Sequence, residues 1–223
     1  MAAFTKAETI DLILSAPVVP VFFNPDPQTA RLAIRACYRG GVRAFEFTDR
    51  SENALLVFRE IIPFVREECP GMAFGAGTIL SKEAAEAFAA AGADFLVSPC
   101  MVTEARAVAV AHDIPYIPGC GTVTEIYNAV RSGSDIVKVF PAGSVGGPAF
   151  VRDVLAPLPR VKLMCTGSVE PSEENVRAWA AAGAAALGMG SKLFPKEAIA
   201  AGEWDRIAQL CSSSLKWFAL YHK

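Results

Sequence analysis

Eight times along this chain a short, almost wholly apolar run gives way to a longer run with helical spacing of its apolar residues. The short runs are Val18–Phe22, Val42–Phe47, Ala73–Gly77, Asp94–Ser98, Pro115–Pro118, Asp135–Phe140, Val161–Thr166 and Ala185–Gly188. Between them lie the helix-like runs Pro27–Gly40, Glu52–Glu68, Lys82–Ala91, Thr103–Ala111, Thr122–Ser132, Gly147–Leu155 and Pro171–Ala182, and a last helix around Trp204–Tyr221 closes the series. Strands that read as continuous apolar runs belong to a parallel sheet covered on both faces, and such a sheet requires crossover helices. Ala90-Ala91-Gly92-Ala93-Asp94 and Ala181-Ala182-Gly183-Ala184-Ala185 repeat one device, a helix stopped by glycine and followed at once by a strand.

Eight βα units in 223 residues predict a single (β/α)8 TIM barrel over residues 1–223 with an extra N-terminal helix. The competing fold is an open doubly wound sheet. It calls for a glycine fingerprint after the first strand, and Val18-Val19-Pro20-Val21-Phe22-Phe23-Asn24-Pro25 contains no glycine.

Charge and composition exclude several function classes. With 21 basic against 23 acidic residues there is no basic stripe to meet a phosphate backbone, so nucleic acid is not an expected partner. No run reaches the roughly 18 apolar residues of a membrane span, and the N-terminus lacks the charged-then-apolar order of a signal peptide, so a cytoplasmic location is expected. Six cysteines without CxxC spacing read as buried reduced thiols, and two histidines, His112 and His222, are too few and too badly placed for zinc. No metal or other cofactor is expected.

A barrel enzyme builds its site at the C-terminal ends of its strands. There, period-two alternation puts Glu46 on the face of Val42 and Ala44, pointing inward. An inward carboxylate calls either for general acid/base work or for an ion pair with Arg43 or Arg50. Lys138 is a lone lysine in the apolar run Asp135-Ile136-Val137-Lys138-Val139-Phe140, sharing a face with Ile136 and Phe140. Lys162, the other strand lysine, comes at the start of its run, the structural end of a barrel, and is expected to be exposed. Burial favours the neutral, nucleophilic amine of a lysine, which can attack a carbonyl. A lysine with a carboxylate to move protons suits Schiff-base chemistry on a keto acid, and a purely structural Lys138–Glu46 pair is the alternative. The turns Thr166-Gly167-Ser168 and Gly188-Met189-Gly190-Ser191 follow strands seven and eight, where barrels bind phosphate through backbone N–H groups; as turn punctuation they would bind nothing.

These segments occur together in one order: Val18-Val19-Pro20-Val21, Phe45-Glu46-Phe47-Thr48-Asp49-Arg50, Gly75-Ala76-Gly77-Thr78, Val97-Ser98-Pro99, Ile117-Pro118-Gly119, Val137-Lys138-Val139-Phe140-Pro141, Cys165-Thr166-Gly167 and Gly190-Ser191. In that order the sequence resembles the 2-keto-3-deoxy-6-phosphogluconate / 4-hydroxy-2-oxoglutarate aldolases, class I Schiff-base lyases that release pyruvate. The resemblance implies that Lys138 forms the Schiff base and Glu46 transfers protons. It implies that Arg50 and Thr78 hold a pyruvate-like carboxylate, that Pro99 and Phe140 shape the pocket, and that Gly167, Ser168, Gly190 and Ser191 take the phosphate positions. A keto-acid substrate, metal-free chemistry and a homotrimer are implied with it. Three departures stand out: Asp49 where many relatives are uncharged, Ser168 in place of a second glycine, and Cys120-Gly121 after Pro118-Gly119. The rival readings are a metal-dependent phosphosugar epimerase or decarboxylase, whose histidines and acids these strand ends lack, and an idle barrel that binds a sugar acid.

Overall fold

In a computed structural model that describes residues 1–222, the apolar runs form one parallel sheet. Its segments are β1 (Val18–Phe22), β2 (Ala44–Thr48), β3 (Ala73–Gly77), β4 (Leu96–Val97), β5 (Tyr116–Ile117), β6 (Gly119–Cys120), β7 (Val137–Val139), β8 (Leu163–Thr166) and β9 (Ala186–Met189). The order is β5-β4-β3-β2-β1-β9-β8-β7-β6. The two outer segments, β5 and β6, are one stretch of chain. Tyr116 pairs with Leu96 on one side and Gly119 with Lys138 on the other, so the sheet closes on itself as an eight-staved (β/α)8 barrel.

The stave predicted to end at Pro118 thus runs on to Cys120. Proline has no N–H to give a neighbouring strand, which splits the stave, yet its carbonyl still accepts from the Lys138 N–H at 2.9 Å. The expected strand at Asp135–Phe140 is regular only over Val137–Val139.

Alternation along the staves separates two cores. Phe45, Phe47 and Phe74 face outward; Phe47 and Phe74 meet Phe58 of α3 (Ala54–Glu68), whose ring lies against Phe88 of α4 (Lys82–Ala90). Ala44, Phe95, Val97, Ile117, Ile136 and Met164 face inward and fill the barrel. The remaining crossover helices are α2 (Pro27–Arg39), α5 (Thr103–Ala111), α6 (Val123–Arg131), α7 (Gly147–Leu155) and α8 (Glu173–Ala181). A short α9 (Lys196–Ala200), which the sequence pattern did not announce, precedes α10 (Trp204–Tyr221). None of the described helices is long and apolar enough to cross a membrane.

The extra N-terminal helix is α1 (Lys6–Ser15), and it plugs the lower end of the barrel. Its start is fixed by a capping box, in which the Thr5 hydroxyl accepts from the Glu8 N–H while the Glu8 carboxylate accepts from the Thr5 N–H. Ile13 joins the inward cluster fully buried, where truncation to alanine costs about 2–5 kcal/mol. The buried Asp94 carboxylate ties this floor together by accepting from Arg66, from the Phe74 N–H and from the Ala3 N–H.

Candidate active site

Above the aliphatic floor the barrel interior turns polar. Glu46 and Lys138, inward on opposite sides of the barrel, meet there: Lys138 Nζ lies 3.3 and 3.4 Å from the two Glu46 oxygens. Both residues are almost withdrawn from solvent, 1% exposed for Glu46 and 5% for Lys138. Room for the carboxylate comes from Gly77, where a Cβ would stand 2.0 Å from Glu46 Oε1. Lys138 also faces the Phe140 ring at 5.4 Å, a distance at which the ring's quadrupole attracts a cation.

Neither alternative partner of Glu46 is used. Arg43 donates to the carbonyls of Tyr38 and Val42. Arg50, exposed above β2, forms no side-chain hydrogen bond or ion pair among the described residues. It also makes no bridge to Asp49, whose carboxyl is pushed up by burial. Lys162 is exposed, as its place at the start of β8 predicts.

Beside the pair opens a cavity of about 360 Å³, a size suited to a small ligand. Its walls include Arg50, Phe140, Gly167, Ser168, Gly190 and Ser191. The backbone N–H groups of those last four residues donate to no protein acceptor among the described residues, so four donors on two loops are free for an anion. Thr78 and Pro99 stand apart from this cavity, on the rim above β3 and β4. Pro99 touches the Lys138 neighbourhood through Gly119, at which a Cβ would meet the Pro99 carbonyl.

The two turns also show how the serine departure is accommodated. Ser168 has φ +61°, a left-handed conformation that costs a non-glycine residue roughly 1–2 kcal/mol. Its side chain rests over Gly143, where a Cβ would sit 2.3 Å from Ser168 Oγ. Asn175 of α8 staples the loop, donating to the Ser168 carbonyl and accepting from the Glu170 N–H.

Against proteins of known kind, the aldolase profile for KDPG and KHG aldolase matches residues 10–210. The chain belongs to the KDPG and KHG aldolase family. A 2-dehydro-3-deoxy-phosphogluconate aldolase of Treponema pallidum is 34% identical over 199 residues, covering 89% of this chain and 92% of that protein. The KHG/KDPG aldolase of Escherichia coli K12 is 33% identical over 212 residues, covering 95% and 96% respectively. In structure the chain is similar to the KDPG aldolase of Legionella pneumophila, with TM-score 0.80, 29% identity and coverage of 91% of this chain and 95% of that one. That crystal structure holds pyruvate as a covalent carbinolamine intermediate. Membership makes the chain a carbon–carbon lyase of the class I aldolase type.

Three polar residues on the cavity wall were given no role of their own by the sequence pattern, Thr166 being quoted only as the start of its turn. Thr166 is inward on β8 and 7% exposed; it lines the cavity, and its hydroxyl lies buried over Gly188 with no partner among the described residues. Its place two residues beyond Met164, on the same face at the strand end, is the signal that would have found it. Glu170 and Lys192 also line the cavity and carried no such signal, because both lie in loops. The described residues contain no group of three His, Cys, Asp or Glu side chains placed to hold a metal ion.

Proposed function

We propose that this chain cleaves a 2-keto-4-hydroxy acid through a Schiff base on Lys138, with Glu46 as the proton carrier. The observation that carries the proposal is the buried contact of 3.3 Å between an inward lysine of the barrel's upper half and an inward carboxylate. Glu46 takes a proton from the Lys138 ammonium, and the freed amine attacks C2 of the keto acid. Returning that proton to the departing hydroxyl releases water and leaves an iminium, and the carboxylate is regenerated. Glu46 then takes the C4 hydroxyl proton as the C3–C4 bond breaks, its electrons passing into the iminium. An aldehyde departs, and the remaining enamine is protonated at C3 and hydrolysed to pyruvate. Every step draws on one lysine and one carboxylate, so no metal is called on as electron sink.

Arg50 and Thr78 are assigned to the substrate carboxylate, Pro99 and Phe140 to the pocket wall, and Gly167, Ser168, Gly190 and Ser191 to a distal phosphate. The free N–H groups of the last four support that part of the reading. A phosphorylated six-carbon substrate such as 2-dehydro-3-deoxy-6-phosphogluconate, yielding glyceraldehyde 3-phosphate, then outcompetes five-carbon 4-hydroxy-2-oxoglutarate, which yields glyoxylate. Homotrimeric assembly and a cytoplasmic location belong to the same proposal. The first is supported by Val123, Tyr127 and Val130, which leave an apolar stripe exposed on one side of α6; the second by six free cysteines.

Borohydride reduction in the presence of pyruvate tests the chemistry. A stable mass increase is expected at Lys138, absent in Lys138→Ala. Labelling mapped to Lys162 instead would overturn the assignment.

A further inference from the structure

At the mouth of the cavity two facing loops each contribute a charge. Glu170 follows β8 and Lys192 follows β9, and Lys192 Nζ lies 3.4 Å from Glu170 Oε1, with side chains 65% and 45% exposed for the lysine and the glutamate. The glutamate is not free to swing with its loop, because Asn175 accepts from its backbone N–H. Both residues line the same cavity as Ser168 and Ser191, and among the described residues Arg50 is the only other charged one on its wall. The wall therefore carries two cations and one anion, and the second cation is held by that anion.

We propose that Lys192 is a specificity-determining residue: on binding, its ammonium leaves Glu170 and pairs with the phosphate at the far end of the substrate. The proposal rests on the phosphate reading of the cavity given above. Magnitudes favour the exchange. An ion pair as exposed as this one is worth less than about tenfold in any equilibrium. A charge-assisted hydrogen bond to a phosphoryl oxygen is worth about tenfold to a hundredfold. Glu170 has the opposite effect, since its carboxylate stays beside the bound dianion and weakens its hold. Lys192 is thereby parked at the phosphate position when the site is empty, and Glu170 tempers the affinity when it is full.

The test is the ratio of kcat/KM for 2-dehydro-3-deoxy-6-phosphogluconate to that for the same six-carbon acid without its phosphate. Lys192→Met should lower the ratio by about tenfold to a hundredfold. Lys192→Arg should keep most of it, and Glu170→Gln should raise it above the wild-type value. Added salt should depress the ratio more steeply in wild type than in Lys192→Met. A wild-type ratio well above unity that Lys192→Met leaves unchanged overturns the role of Lys192 while the phosphate reading stands. A wild-type ratio near unity overturns the phosphate reading and the proposal with it.

Discussion

Replacing Glu46 by glutamine separates chemistry from architecture at this site. Glutamine keeps the length of the side chain over Gly77 and removes its charge, so the tight approach at that glycine is preserved. The lost group is a carboxylate 3.3 and 3.4 Å from Lys138 Nζ and 1% exposed. In the proposed role of proton carrier in several steps it is worth about 10²–10⁴ in rate, so kcat should fall by that factor, or about 2.7–5.5 kcal/mol of barrier. Stability should fall too, because removing one member of a buried pair and leaving the other charged costs about 3–5 kcal/mol. The double variant Lys138→Met/Glu46→Leu should regain most of that stability, since an apolar pair of similar volume avoids the desolvation cost of two ions. Pyruvate release measured by a coupled dehydrogenase assay, beside urea unfolding of each variant, gives both numbers. A Glu46→Gln enzyme that loses stability as expected but keeps kcat within about tenfold of wild type would make the carboxylate a structural counter-ion only and refute the mechanism.

Ser191→Asp places a carboxylate beside Gly190 in the proposed phosphate site and should cut the preference for the phosphorylated six-carbon acid over 4-hydroxy-2-oxoglutarate by about tenfold or more, read from kcat/KM at fixed ionic strength. Prolonged dialysis against EDTA should leave turnover unchanged, because the iminium is the electron sink; activity lost to chelation and restored by a divalent ion would contradict this. Glu125, in the first turn of α6, is held below the usual carboxylate range by the Gly121 N–H and by the hydroxyl of the N-cap Thr122, both of which donate to its carboxylate. Its folded-state pKa is depressed, so its contribution is present above the unfolded value and lost as pH falls through the folded one. The melting-temperature gap between wild type and Glu125→Gln should therefore be open at neutral pH and narrow in the acid range.

The barrel was legible in the sequence because each stave is buried on both faces, which writes an apolar run that no loop needs. Lys138 and Glu46 were legible for a related reason: a charge on the inward parity of such a run contradicts its surroundings. Thr166 was legible only as the start of its turn, since a threonine at a strand end draws no role of its own until its hydroxyl is seen to lack a partner. Glu170 and Lys192 come together only through the register of β8 against β9, which aligns Thr166 with Gly188 and brings the two following loops side by side. The continuation of β5 into β6 was hidden by Pro118, a residue that ends most strands and here only interrupts one.

The helix that seals the floor of the barrel also governs traffic. With Ile13 seated among Val19, Ala44 and Ile136, and Phe4, Ile10 and Leu14 packed around them, the interior is a well with a single mouth and not a channel. With the floor sealed, the upper end of the barrel, where the Glu170 and Lys192 loops line the cavity, is both the way in to Lys138 and the way out. In the proposed reaction this imposes a queue: the aldehyde fragment stands nearer the mouth and the pyruvate fragment is tethered below it. The aldehyde therefore departs first in cleavage, and pyruvate must load first when the reaction runs toward synthesis.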